Sequence, residues 1–202
     1  MIGKIIKAMG LFLALGMVSA CVSSGSHVAS LAPVRGERFN ITSYSGMIDP
    51  QWHRQRVNYS GKEKPGTIIV NTKERHLYFV EENGTAIRYG IGVGRDGFRW
   101  SGSARIGAKQ KWPTWTPPSS MIAREPYLKK YAGGMPGGPT NPLGARAMYL
   151  YDGGRDTMYR LHGTNEPRSI GQAMSSGCIR MLNEDVADLY ERAKIGTRVV
   201  VL

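Results

Sequence analysis

The stretch Thr67–Gly94, "TIIVNTKERHLYFVEENGTAIRYGIGVG", decides the fold class. Its apolar runs are short, β-branched or aromatic, and separated by the compact polar links "NTKER" and "EENG". Strands of that length joined by tight turns form a β-meander. The same signature recurs downstream in "ARAMYLYD" and "TMYRLHG", which flank "GGRD", and in the closing "TRVVVL". Only "NEDVADLYERAKIG" reads clearly as helix. Asn183 is its expected N-cap, Glu184 and Asp185 fill the first turn, Val186, Leu189 and Tyr190 share a face, and Gly196 is the expected stop. The chain is therefore mainly β.

Working outward, residues 98–144 are rich in Pro, Gly and Trp and read as a long loop-rich insertion. Loops of that length in a compact domain are functional or disordered. Trp100, Trp112 and Trp115 argue for order, so a cover or wall over a cleft is expected. Towards the N-terminus, residues 21–64 read as tether and extension, polar and irregular, with Met47, Ile48, Trp52 and Val57 as anchors. One domain then occupies residues 65–202. Gly92–Gly97 matches G-x-G-x-x-G, yet a dinucleotide site needs a helix to open there. "FRWSGSARIG" has no helical period, so glycines in a strand and its turn explain the match.

Residues 1–20 carry Lys4 and Lys7, an apolar run from Ala8 to Val18, then small residues, the layout of a bacterial secretory signal. The run is too short for a membrane span of about 20 residues. Val18-Ser19-Ala20-Cys21 fits a lipobox, with Cys21 as the lipidation site. Several acyl chains make a stable anchor where one is marginal. This places the protein at the periplasmic face of the cell envelope, lipid-anchored. Val22-Ser23 lacks the Asp that signals inner-membrane retention in some bacteria, which favours the outer membrane.

The anchor reading leaves Cys178 as a single thiol in an oxidising compartment. The full chain has a formal net charge of +12, and removing residues 1–20 leaves 25 basic against 15 acidic side chains. Such a balance suggests an anionic partner. No nucleic-acid signature accompanies it, so lipid head groups or cell-wall peptide carboxylates fit better. Three or four convergent ligands are needed for a metal, and one Cys with scattered His residues does not supply them. No cofactor or metal is expected.

Cys178 lies sixteen residues after His162, in "HGTNEPRSIGQAMSSGCIRM". Two readings compete: a small buried apolar residue, or a nucleophile activated by His162. A thiol of pKa ~8.5 is mostly protonated at neutral pH and needs a base within reach. Gly163 lets the chain turn after His162, and Gly177 lets backbone approach a ligand. The N–H groups of Gly177 and Cys178 are candidate oxyanion donors. In an extended segment Arg180 projects to the same face as Cys178, where it can hold a substrate carboxylate. His27, His53 and His76 read as structural.

This stretch resembles the signature of the L,D-transpeptidase (YkuD-type) family: His-Gly or His-Ser, a gap of roughly this length, then Ser-x-Gly-Cys-hydrophobic-Arg or Asn. His162, Gly163, Ser176, Gly177, Cys178 and Arg180 fall into place. "KQKWPTWTPP" and "MPGGPTNPLGARAMYLY" resemble the Gram-negative lipoprotein branch. Many members carry His before the Gly, where this chain has Ser176. The resemblance implies a β-sandwich-like catalytic domain with one C-terminal helix and the long loop-rich insertion. It also implies peptidoglycan stem peptides as substrate and Cys178 as the nucleophile that forms a thioester. His162 would be the base, oriented by the Gly163 carbonyl. The acceptor is an amine of a second stem, giving a 3-3 cross-link, or an amine of an outer-membrane protein. Hydrolysis by the same pair and non-catalytic wall binding are the alternatives.

Overall fold

The computed structural model describes residues 37–95 and 100–202; the expected signal segment 1–20, the Cys21 lipidation site and most of the expected tether lie outside them. The meander forms as its pattern predicts. β2 (Ile68–Asn71), β3 (His76–Val80) and β4 (Thr85–Gly90) pair antiparallel in sequence order. Asn83 and Gly84 both take positive φ, +61° and +70°, which lets the "EENG" link reverse the chain in two residues.

Three expectations are corrected. Residues 55–58, read as irregular, form β1 (Gln55–Asn58), which pairs antiparallel with β4 at the sheet edge. Its residues alternate between half-buried and exposed, too polar a pattern to announce a strand. The 98–144 insertion is not loop throughout: β6 (Gly102–Lys111) is a ten-residue strand inside the main sheet. Only Ala104 and Ile106 are buried along it, so its apolar alternation is two residues long and hidden among Gly, Lys and Gln. The remainder holds a short helix, α1 (Ser119–Arg124), and a 3-10 turn at Pro126–Tyr131. Finally, Asn183 is not the cap of the main helix, α2 (Asn183–Arg192), but its first residue, after Leu182. That helix ends before Gly196, whose φ of +89° turns the chain into β11 (Arg198–Val201).

The other strands are β5 (Val93–Gly94), β7 (Arg146–Asp152), β8 (Arg155–His162), β9 (Ala173–Ser175) and β10 (Ile179–Arg180). Nine strands form one sheet in the order β1-β4-β3-β2-β11-β6-β7-β8-β10, and β5 pairs with β9. The sheet rolls over until the chain leaving β4 reaches the far edge strand, β10. Gly92, just past β4, exchanges two backbone hydrogen bonds of 2.9 Å with Arg180 of β10. The core inside is built from both halves, including Ile68, Leu77, Tyr89, Met148, Leu161 and Ile179, with Val186 and Leu189 of α2. This mainly β, sandwich-like architecture puts the C-terminal end of β8 beside β10.

Residues 37–54 form a strap tied to the domain by charge. Glu37 pairs with the fully buried Arg146 and accepts from Trp112 Nε1 at 2.9 Å. Trp112 meets Phe39 edge-on at 5.1 Å, so it sits beneath the strap. Glu184 Oε1 accepts the backbone N–H groups of Tyr44 and Ser45. Arg54 reaches Asp185 and Asp188 at 3.8 and 3.4 Å. His53 and His76 bond strap carbonyls, of Ser45 and Gln51.

Candidate active site

His162 is the last residue of β8 and is buried. Its Nδ1 lies 2.6 Å from the Gly163 carbonyl oxygen. A carbonyl only accepts, so Nδ1 carries the proton and Nε2 keeps its lone pair. Burial pushes the imidazole pKa down to about 4, with the Gly163 bond opposing and the Arg180 and Arg160 charges adding to the fall. The ring is therefore neutral at physiological pH, with a basic Nε2.

The pairing of β10 with β8 brings the second part of the motif to this ring. The two strands run parallel, with Ile179 beside Leu161 and Arg180 beside His162. Paired residues project to the same side of a sheet. Ile179 and Leu161 enter the core, so His162 and Arg180 face the opposite side. Cys178 immediately precedes β10 and is partly exposed. Its sulfur lies 3.9 Å from the Met158 carbonyl oxygen, to which the thiol donates. Burial of the sulfur raises the thiol pKa, while the Arg160 backbone N–H and the guanidinium groups of Arg160 and Arg180 lower it. At neutral pH the thiol is therefore protonated and the imidazole neutral.

The β8 backbone is shaped for this contact. Pairing with β7 slips between Tyr149 and Tyr151, and Met158 adopts φ +64°. The Asp156 carboxylate accepts the Met158 N–H at 2.8 Å and holds the bulge. Bulges re-aim groups beside functional sites; this one presents the Met158 carbonyl to the thiol. Asp156 also binds Arg160 through two parallel bonds of 2.7 and 2.8 Å, with the guanidinium 4.5 Å from the centre of the Tyr149 ring.

The expected oxyanion donors behave differently from one another. Gly177, at φ +119°, donates its N–H to Ser175 Oγ at 3.2 Å, and that hydroxyl donates to the Cys178 carbonyl at 2.6 Å. Ser175, buried and not singled out from sequence, thus folds the Ser-Ser-Gly-Cys turn around its own hydroxyl. Ser176 is exposed beside it. Arg180 Nη1 pairs with Glu166 Oε2 at 2.8 Å.

Asn183 was also missed as a site residue. Its Oδ1 accepts the Ala145 N–H and its Nδ2 donates to the Thr164 carbonyl, both at 2.9 Å. The amide therefore staples the two segments next to His162. A Cβ on Gly163 would collide with Asn183 Oδ1, which is why the residue after the histidine is glycine. The Asn183 signal was present in the sequence, but its polar side chain beside a helix start reads equally well as a cap. Among the described residues no group of three or more His, Cys, Asp and Glu side chains converges as metal ligands would.

A family model described as "L,D-transpeptidase catalytic domain" (YkuD) matches residues 65–201. The chain belongs to this family. A Fuscovulum blasticum protein from the ATP synthase subunits region (ORF 5), which carries an L,D-transpeptidase name, is 34% identical over 94% of this chain and 95% of its own. The Escherichia coli "Probable L,D-transpeptidase YbiS" is 37% identical over 65% of this chain, a match that spans 43% of its own length. A crystal structure from Brucella melitensis, described as a "Probable carnitine operon oxidoreductase caia", shares 51% identity at a TM-score of 0.54, covering 79% of this chain and 99% of that one. The name belongs to that protein. Here the Gly92–Gly97 pattern runs from the bridge at Gly92 through β5, and the next described element is strand β6, not the helix a dinucleotide fingerprint requires.

Proposed function

We propose that the protein is a cysteine-dependent L,D-transpeptidase acting on peptidoglycan stem peptides. The observation that carries this reading is the His162 tautomer. Nδ1–H is committed to the Gly163 carbonyl, so Nε2 is left as a base on the side of the sheet that Cys178 approaches. The thiol leaves the Met158 carbonyl, turns towards Nε2 and loses its proton as the sulfur attacks the carbonyl of the L-centre/D-Ala bond. The imidazolium returns that proton to the departing D-Ala amine, leaving a Cys178 thioester. An acceptor amine then attacks the thioester, His162 takes its proton, and the thiol is restored. Because Gly177 donates to Ser175, the Cys178 N–H is the remaining donor of the expected pair for the tetrahedral oxyanion. One such donor contributes about 3 kcal/mol. Arg180 holds a carboxylate of the stem.

The acceptor is an amine of a second stem, giving a 3-3 cross-link, or an amine on an outer-membrane protein. Lipidation at Cys21, periplasmic location and outer-membrane anchoring belong to the same proposal and rest on the N-terminal sequence. Incubation with disaccharide-tetrapeptide, read by mass spectrometry, should give dimers that have lost one D-Ala, and none with Cys178→Ala. Free tripeptide in place of dimers would make the enzyme a hydrolase of the same bond. Neither product, with no acyl adduct on Cys178, would overturn the assignment.

A further inference from the structure

Two guanidinium groups act on the Cys178–His162 pair, and they are held very differently. Arg160 is locked: both ends bond to Asp156, its face covers Tyr149, and Asp156 is itself fixed by the Met158 N–H. Among the described residues, the Arg180 guanidinium is held at one nitrogen, by Glu166. The main chain beneath Arg180 cannot shift, because Gly92 binds it on one side and β8 on the other. The Glu166 backbone is equally fixed. Its N–H donates to Thr164 Oγ1, and its carbonyl accepts from the Ser169 N–H and hydroxyl. The Glu166 carboxylate arm, by contrast, is 60% exposed. An exposed ion pair of this kind holds its partner by no more than about fivefold. Arg180 is thus a rooted cation near the thiol, and its counter-ion is an exposed arm on a hydrogen-bonded backbone.

We propose that Glu166 stands in for a ligand carboxylate: it occupies Arg180 in the free enzyme and is exchanged for the carboxylate of the incoming peptide. The inference rests on the proposed function only in naming that carboxylate as one of a stem peptide. Glu166 acts as an internal competitor. Ligands with a free carboxylate near the scissile bond displace it and gain Arg180, whereas neutral ligands leave the pair closed. No bond is made or broken in this exchange.

The test compares alkylation of Cys178 in the full chain by iodoacetate and by iodoacetamide, quantified by mass spectrometry of the Cys178 peptide. The two reagents share a mechanism and differ by a carboxylate, so their rate ratio cancels changes in thiol reactivity. Glu166→Gln should raise the iodoacetate/iodoacetamide ratio by about 3- to 5-fold, the strength of the pair it removes. Glu166→Asp keeps the charge but shortens the arm, and should raise the ratio in the same direction. Arg180→Gln should lower the ratio below that of the parent, and in that background Glu166→Gln should have no further effect. An unchanged ratio in both Glu166 variants would overturn the proposal. So would an equal rise with and without Arg180, which would reduce Glu166 to a diffuse surface charge. Neither reading depends on turnover, so failure of the peptidoglycan chemistry leaves this test intact.

Discussion

At the scale of single residues, the orientation of the His162 ring depends on groups outside the Cys–His motif. Asn183 fixes the Thr164 carbonyl and the Ala145 N–H, while the Arg146 carbonyl accepts the Gly163 N–H at 3.0 Å. The Gly163 peptide, whose oxygen selects the His162 tautomer, is pinned from both sides. Asn183→Ala should lower kcat on stem peptides by about 10- to 100-fold, the usual cost of losing an orienting partner, with KM changed less than about twofold. Steady-state kinetics decide this; an unchanged kcat would make Asn183 a purely structural clasp. The motif residues themselves were legible, since His-Gly and Ser-Gly-Cys each carry local chemistry. The contacts made by Ser175, Asp156, Glu166 and Asn183 were not. Their partners are set by strand register, by a bulge and by segments up to 38 positions apart, as in the Asn183–Ala145 bond.

Among the elements, the strap deserves to be counted with the catalytic domain although it precedes the family match at residue 65. Arg146 is fully buried, and Glu37 supplies its counter-charge. Removing one partner of a buried pair leaves a bare charge, which costs about 3–5 kcal/mol. Glu37→Ala should therefore destabilise the fold by about that amount, measured as the loss in unfolding free energy in urea. A change below about 1 kcal/mol would show that Arg146 finds solvent without the strap. The sequence marked apolar anchors here, of which Trp52 does pack on His76, but not the charged ones, for a physical reason. The strap's attachments are single charged and aromatic residues reaching into the domain, and such contacts have no periodicity. The meander was legible because continuous apolar strands and an Asn-Gly turn are local signals. β6 was not, because it is placed by its neighbours β11 and β7 more than by its own alternation.

Across the whole molecule, two buried groups give stability opposite dependences on pH. Burial raises the Asp185 carboxyl to about 7, against Arg54, so the folded state retains a proton that the unfolded chain releases from about pH 4 upward. Its contribution is complete below the unfolded pKa and is lost as pH rises through about 7. His162 works the other way: its folded pKa of about 4 lies below the ordinary imidazole value of 6.5, so its contribution is present above 6.5 and lost as pH falls. Between about pH 4 and 6.5 the two slopes oppose. Asp185→Asn should remove one of them, so the Tm of the variant should rise with pH across that window, and its gap over the parent should widen up to about pH 7. Thermal melts across that range test this; a constant gap would mean that Asp185 ionises normally in the fold.

The rolled sheet also decides how a peptide can be read. A strand with an open edge invites its ligand to lie alongside and zip on through main-chain bonds, indifferent to what the side chains are. Next to Cys178 that option is closed, because Arg180 has already spent its N–H and carbonyl on Gly92. A peptide arriving there finds these two main-chain groups already bonded. Recognition at that position falls to side chains, among them Arg180 and its partner Glu166.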